Sequence, residues 1–121
     1  MDRAISDYFA AWNVPAAPAR MKLLEHALAD DVEFVEPNGH WRGRDQVSQR
    51  ITWMHDQLPG TTIAIATVVD SHNNVHRYGW ELIDGGGTVL MEGIDVVEMA
   101  ADGRIRRVLM FHGTLANVSA S

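Results

Sequence analysis

The sequence contains no cysteine, so disulfides, thiolate metal sites and cysteine nucleophiles are excluded. None of its histidines stands at HxH or HExxH spacing, and we therefore expect no metal centre. No apolar run approaches the roughly 18 residues that a membrane span needs. The chain begins with Met1-Asp2-Arg3 and shows no apolar segment of the signal-peptide kind, so we expect a cytoplasmic protein without a membrane partner.

Basic residues are also scarce. The net charge is -6, and the densest basic cluster, Arg104, Arg106 and Arg107, lies inside a predicted strand. This charge balance disfavours a nucleic-acid partner. A chain of 121 residues fits one domain, residues 1–121, and its apolar content of 46% is ordinary for a soluble protein that buries its own core.

Three segments have the apolar spacing of helices with one buried face. The first, DRAISDYFAAWN, carries Tyr8 and Trp12 on the same stripe. The second, ARMKLLEHALADD, follows a proline-rich break and ends near Asp30. The third lies within WRGRDQVSQRITWMHDQLPG and carries Met54 on its buried stripe, with His55 beside it.

A short strand, VEFVEPNG, separates the second and third predicted helices, and its alternation places Val32, Phe34 and Glu36 on one side. After the third helix, the alternating segments are TTIAIATVVDSH, VHRYGWELID, TVLMEGIDVVEMA and RIRRVLMFHG. Turn signals rich in asparagine, aspartate and glycine join these segments. Helices followed by an antiparallel meander indicate the α+β class.

Alternation also sorts the side chains of the strands into two faces. Tyr78 and Trp80 share a side that should face the helices, and Met110 and His112 share a side of the last strand. Asp95 stands among small or apolar residues, but alternation leaves open whether it faces the helices, solvent or a neighbouring subunit. Inside an apolar cavity its carboxyl would be protonated or tightly hydrogen-bonded, because burying a charge costs several kcal/mol.

The order and spacing of five motifs resemble the nuclear-transport-factor-2-like superfamily, and within it the SnoaL-like and steroid Δ5-isomerase-like branch. The motifs are DYFAAWN, LADDVEFVEPNG, GRDQV, MEGIDVVEM and DGRIRRVLMFHG. The resemblance runs from about Tyr8 to Gly113. It implies a cone-shaped α+β fold in which three N-terminal helices pack on a curved, mostly antiparallel sheet and enclose an apolar pocket. No cofactor is expected, and the implied ligand is a small apolar molecule.

Three positions match the catalytic pattern of the isomerases. By this resemblance, Tyr8 donates to the substrate oxyanion, Glu36 is the base that shuttles the proton, and Asp95 is a protonated acid that donates a second hydrogen bond. The family's base is an aspartate, so Glu36 is one methylene longer, and the family's supporting tyrosine falls on Ile51. The residues expected to contact the ligand are Trp12, Met54, His55, Tyr78, Trp80, Met110 and His112.

Several functions are compatible with this resemblance. The first is an enzyme that shifts a proton on a carbonyl compound, either an isomerase or an aldol-type cyclase. The second is an epoxide hydrolase or dehydratase; hydrolysis in this superfamily uses an Asp-Arg-Asp arrangement, but Arg77 lies on the face opposite Trp80. The third is a non-catalytic binding module, which predicts a cavity filled by side chains or a carboxylate that points away from it.

A homodimer is also implied, formed through the outer face of the sheet. On that face we expect an apolar patch of Ile94, Val96, Leu109 and Phe111, and an exposed patch of this kind usually marks an interface.

Overall fold

A computed structural model describes residues 1–120 as three helices packed on an open, curved sheet of seven strands, which confirms the predicted cone-shaped α+β fold. The elements in chain order are α1 (Arg3–Trp12), α2 (Ala17–Ala27), β1 (Leu28–Glu36), β2 (Gly39–Arg42), α3 (Gly43–Gln57), β3 (Thr62–Ile65), β4 (Asp70–His72), β5 (Val75–Ile83), β6 (Val89–Met99), β7 (Ile105–His112) and a short 3-10 helix (Val118–Ala120).

The sheet has the strand order β2-β1-β7-β6-β5-β3, and β4 pairs with β5 beside β3. β1 runs parallel to β7, whereas every other neighbouring pair is antiparallel. The predicted meander is therefore present, and the first strand closes the sheet by returning to the last one. No helix in the described part of the chain is long and apolar enough to cross a membrane.

Two boundaries of the helical half differ from the sequence-based prediction. α2 ends at Ala27 and not near Asp30, because Leu28 already pairs with Ile105 of β7. The stretch before the third helix forms the additional strand β2, which lies antiparallel to β1 with Trp41 opposite Phe34. The chain pairs on both sides of the Asn-Gly turn and so forms a hairpin before the third helix.

The segment TTIAIATVVDSH was predicted as one strand, and it forms two, β3 and β4. Between them the chain bends away, and the hydroxyl of Thr67 accepts a hydrogen bond of 2.8 Å from the backbone N–H of Gly79. The side chain therefore supplies the acceptor that a continuous strand would have supplied from its backbone. Because Gly79 has no Cβ, Thr67 can approach it: a Cβ there would lie 2.8 Å from Thr67 Cγ2.

The inner face of the sheet is shaped by the close approach of Trp80 to Gly93. A Cβ on Gly93 would lie 2.2 Å from the Trp80 ring and 2.2 Å from the carbonyl oxygen of Phe111, so no larger residue fits this position unchanged. The indole therefore lies across β6 and reaches the next residue on the same face, Asp95. This packing brings a large ring and a carboxyl together under α1.

Candidate functional site

Tyr8, Trp80 and Asp95 meet at a small cavity between α1 and the inner face of the sheet. Its volume is about 10 Å³, roughly the least that holds one water molecule. Seven side chains line it: Tyr8, Phe9, Trp12, Ile63, Trp80, Asp95 and Met110. The site is thus a carboxyl, a phenol and an indole among apolar groups.

Asp95 is buried, with 3% of its surface exposed, and the alternatives in which it faces solvent or a neighbouring subunit are wrong. It lies opposite Tyr78 on β5 and Met110 on β7. The Tyr78 hydroxyl donates a hydrogen bond of 2.9 Å to Oδ2, whereas Oδ1 is buried and has no partner in the described residues. One oxygen is therefore held in place and the other is left for a ligand.

Burial raises the pKa of Asp95 from 3.8 to about 7, since desolvation disfavours the charged carboxylate. The interactions with Tyr78 and Trp80 act in the opposite direction and stabilise the ionised form. The Trp80 N–H attracts the carboxylate, yet its geometry is outside that of a hydrogen bond, and Nε1 has no partner within residues 1–120. Near neutral pH this carboxyl can therefore both accept and donate a proton.

Tyr8 lines the same cavity, and its hydroxyl can donate a hydrogen bond to a ligand there. Burial raises the pKa of its hydroxyl well above 10, and the negative charge of Asp95 raises it further. The phenol therefore stays protonated at any physiological pH. Its ring is fixed by edge contacts with Phe9 and Trp12, at centroid distances of 5.6 and 6.4 Å.

Glu36 is buried but does not line this cavity. Arg50 holds both of its oxygens: Nη2 donates to Oε1 over 2.9 Å, and Nε donates to Oε2. The indole N–H of Trp41 also donates to Oε2, at 2.9 Å. Tyr8 and Asp95 thus lie at one cavity, whereas Glu36 is committed to an ion pair outside its lining.

The other predicted ligand contacts divide into three groups. Trp12, Trp80 and Met110 line the cavity. Tyr78 lies behind Asp95 and orients it. Of the remaining three, Met54 is part of the core and His55 Nε2 lies 2.8 Å from the Trp12 carbonyl oxygen. His112 is exposed, and its ring makes a T-shaped contact with that of Trp80.

Arg77 lies on the outer face, as alternation predicted, and pairs with Asp70 over 2.8 Å. An Asp-Arg-Asp arrangement around Asp95 is therefore not built from this arginine. The residues described also contain no group of three or more histidine, aspartate or glutamate side chains placed to hold a metal ion.

Arg50 is the charged residue beside this site that the sequence-based prediction missed; Phe9 and Ile63 of the cavity lining were also not predicted. Arg50 stands three residues after Val47 and four before Met54, so it occupies the apolar stripe of α3. A charged residue on a buried helix face requires a partner of opposite charge, and Glu36 was the carboxylate already predicted to point inward. That pattern was sufficient to predict the pair.

Comparison with known proteins agrees with the fold. Residues 5–108 match the SnoaL-like domain family. A proposed isomerase of the SnoaL-like family from Agrobacterium tumefaciens is 30% identical, with a TM-score of 0.86 over 92% of this chain and 95% of that chain. An NTF2-like protein of unknown function from Exiguobacterium is 17% identical, with a TM-score of 0.73 over 93% and 99% of the two chains.

A proposed polyketide cyclase from Sinorhizobium meliloti is 12% identical, with a TM-score of 0.73 over 92% of this chain and 95% of that chain. No curated protein matches the sequence. The matched region runs from within α1 to the middle of β7 and so includes α2, α3 and strands β1 to β6 in full. The chain therefore belongs to the SnoaL-like domain family.

Proposed function

We propose that this protein is a cofactor-independent enzyme that moves a proton on a small apolar carbonyl compound, and that Asp95 carries the proton. The observation that supports this most is the free, buried Oδ1 of Asp95 at a cavity that Tyr8 and Trp80 also line. A pKa of about 7 suits this role, since a general base works best near the operating pH. Similarity to a proposed isomerase agrees with it.

In the proposed reaction, ionised Asp95 removes a proton from the carbon next to the substrate carbonyl. The C–H electron pair moves into the new carbon–carbon double bond, and the carbonyl oxygen becomes an enolate. Tyr8 and Trp80 donate hydrogen bonds to that oxygen, where negative charge develops. In a substrate with a double bond between its β- and γ-carbons, the enolate is conjugated with that bond. Asp95 then returns the same proton to the γ-carbon, which moves the double bond into conjugation with the carbonyl and completes an isomerisation. In a cyclase, the enolate carbon would instead attack a second carbonyl.

Glu36 is the base that the family resemblance implies, and the ion pair argues against that role here. Arg50 and Trp41 occupy the oxygens that would have to reach the substrate carbon. Loss of those contacts would leave a guanidinium buried without its partner, which costs about 3 kcal/mol or more. We therefore assign Glu36 a structural role, in which it holds the guanidinium of Arg50 in place beside the site.

Exchange of α-protons for deuterium distinguishes the two bases. With 2-tetralone in D₂O followed by NMR, we expect the enzyme-dependent rate to rise with pH with a midpoint near 7, because the ionised Asp95 is the active form. Asp95→Asn should lower the rate about 100-fold, while Glu36→Gln retains most of it. A rate that falls above pH 7 and vanishes in folded Glu36→Gln would instead support the Glu36 base with a neutral Asp95.

A second candidate function is a binding module without turnover. The small cavity volume favours it, since a tetralone cannot enter about 10 Å³ unless side chains move. In the same experiment, a module would bind the ketone, seen as a change in tryptophan fluorescence, without exchanging its α-protons at any pH. Exchange above the buffer rate would exclude it.

A further inference from the structure

Arg50 carries a buried nitrogen for whose N–H groups the described residues supply no hydrogen-bond acceptor. Its Nε and Nη2 bind Glu36, but Nη1 has no hydrogen-bond partner, and the residue is only 8% exposed. A buried N–H without an acceptor costs about 1–3 kcal/mol, and more when the group is charged. A protein retains such a group where something else supplies the acceptor.

Two tryptophan rings restrict this guanidinium. Its central carbon lies 5.5 Å from the ring of Trp12 and 4.8 Å from the ring of Trp53, distances at which cation–π attraction operates. Trp12 is also a wall of the Asp95 cavity, so the guanidinium and the cavity adjoin the same ring. The charge of Arg50 is close enough to Tyr8 to act on its pKa as well.

The charge balance selects the chemistry of the acceptor. Glu36 already neutralises Arg50, and Asp95 contributes a further acid at the neighbouring cavity. A carboxylate or phosphate at Nη1 would add a buried negative charge that no cation compensates, which is costly in such an environment. A neutral carbonyl or hydroxyl oxygen satisfies Nη1 and leaves the net charge unchanged.

We propose that Arg50 Nη1 forms a second ligand subsite, which accepts a neutral carbonyl or hydroxyl oxygen while the reacting carbonyl of the same molecule lies at Asp95. This rests on the proposed function, because it takes Asp95 as the reacting end. The substrate class is then an apolar compound with at least two neutral oxygen functions. Such compounds include diketones and hydroxyketones.

Ligand pairs that differ by one oxygen test the subsite. The affinities of 2-tetralone, its monohydroxy derivatives at ring positions 5 to 8, and the matching carboxylates are measured by tryptophan fluorescence. In the unmodified protein we expect at least one hydroxytetralone to bind about tenfold more tightly than 2-tetralone, since a hydrogen bond to a charged donor is worth about 1.5 kcal/mol or more. The matching carboxylate should bind no more tightly than that hydroxytetralone.

Arg50→Lys is the decisive variant, because a lysine preserves the cation for Glu36 but lacks a separate third nitrogen. We expect the preference for the hydroxyl to fall to about one in this variant. Arg44→Lys is the control: Arg44 also lies on α3, donates to the Leu28 carbonyl and lies outside the site, so the preference should persist. Any one of four results overturns the proposal: a preference retained in Arg50→Lys, tightest binding of the carboxylate, no preference for any hydroxyl, or no binding of any tetralone.

The same samples distinguish this subsite from the proposed reaction. Binding that shows the Arg50-dependent preference without α-proton exchange would leave the subsite standing and remove the reaction. Exchange that depends on Asp95 without any Arg50-dependent preference would leave the reaction standing and remove the subsite.

Discussion

Ionisation of Asp95 lowers the stability of the folded protein, because its buried carboxyl has a pKa of about 7 while an unfolded aspartate has a pKa near 3.8. Between these two values the unfolded chain releases the proton and the folded chain retains it. The folded state thus binds more protons, and the free energy of unfolding falls as pH rises through this interval. The loss amounts to about 4 kcal/mol, is absent below pH 4 and is complete above pH 7.

Asp95→Asn should therefore remove a pH-dependent loss of stability. The amide can still accept from Tyr78 but carries no charge, so its advantage over the unmodified protein should grow by about 4 kcal/mol between pH 4 and pH 8. Urea unfolding at a series of pH values measures this difference. The exposed Asp56→Asn is the control for removal of a carboxyl. A difference between the Asp95→Asn variant and the unmodified protein that is flat with pH would contradict a buried, mostly protonated acid.

Burial of Asp95 could be anticipated, but its partner could not. The alternation of MEGIDVVEM places Asp95 with Gly93 and Val97, and the family resemblance assigned that side to the pocket. The hydrogen bond comes from Tyr78 because β5 and β6 pair in the register that sets Tyr78 opposite Asp95. The length of the turn between the strands does not determine that register, since a β-bulge between Leu82 and Ile83 shifts the pairing near the turn.

At the scale of the elements, α2 is joined to α3 by a buried arginine rather than by apolar contacts alone. Arg20 is completely buried and donates to the carbonyl oxygens of Val14 and Pro15 and to the hydroxyls of Ser48 and Thr52. It therefore closes the α1–α2 loop onto α3, and these helices with the sheet position Tyr8 and Arg50. Desolvation lowers the pKa of Arg20 from its usual value.

We expect Arg20→Met to lower the free energy of unfolding by about 3 kcal/mol or more, since several buried acceptors lose their donor at once. Urea unfolding at pH 7 measures it. Arg44→Met is the matched control, because Arg44 is on α3 and donates to one carbonyl oxygen, that of Leu28, so its loss should cost about 1 kcal/mol. Equal losses in the two variants would show that the loop contacts of Arg20 contribute little.

The sequence could not assign this role to Arg20. In ARMKLLEHALADD, an arginine near the start of an amphipathic helix ordinarily faces solvent. Its burial depends on how the loop VPAAP and α3 are arranged around it, a tertiary arrangement that no local pattern contains. The third helix was assigned correctly because its apolar spacing is regular and a Pro-Gly pair ends it.

At the scale of the whole molecule, the order of helices and alternating segments was enough to predict the class and the antiparallel meander. It did not predict that β1 lies parallel to β7, because this pairing joins segments 77 residues apart along the sequence, as between Leu28 and Ile105. Nor did it predict how far the interior is filled. Cavity size depends on the rotamers of large rings such as Trp12 and Trp80, which packing sets only once the fold is complete.

The outer face of the sheet presents an apolar groove of about 590 Å³ opposite the side that holds Asp95. Ile94 and Val96 lie in it half-buried, and Phe111 and Leu115 stand along it with 57% and 92% of their surfaces exposed. The charges that line it have both signs: Arg77, which pairs with Asp70, and the carboxylates of Glu81 and Glu92. A surface that carries both signs around an apolar centre can pair with its own copy across a two-fold axis.

We therefore propose a homodimer through this groove, with a second copy of the chain as its occupant. Light scattering after size exclusion should give about twice the 13.4 kDa of one chain, and Phe111→Glu should give one chain, because it places two charges in an apolar contact. Leu58→Glu, which changes an exposed apolar residue outside the groove lining, should leave the mass unchanged. A monomer at high micromolar concentration in the unmodified protein would contradict the dimer.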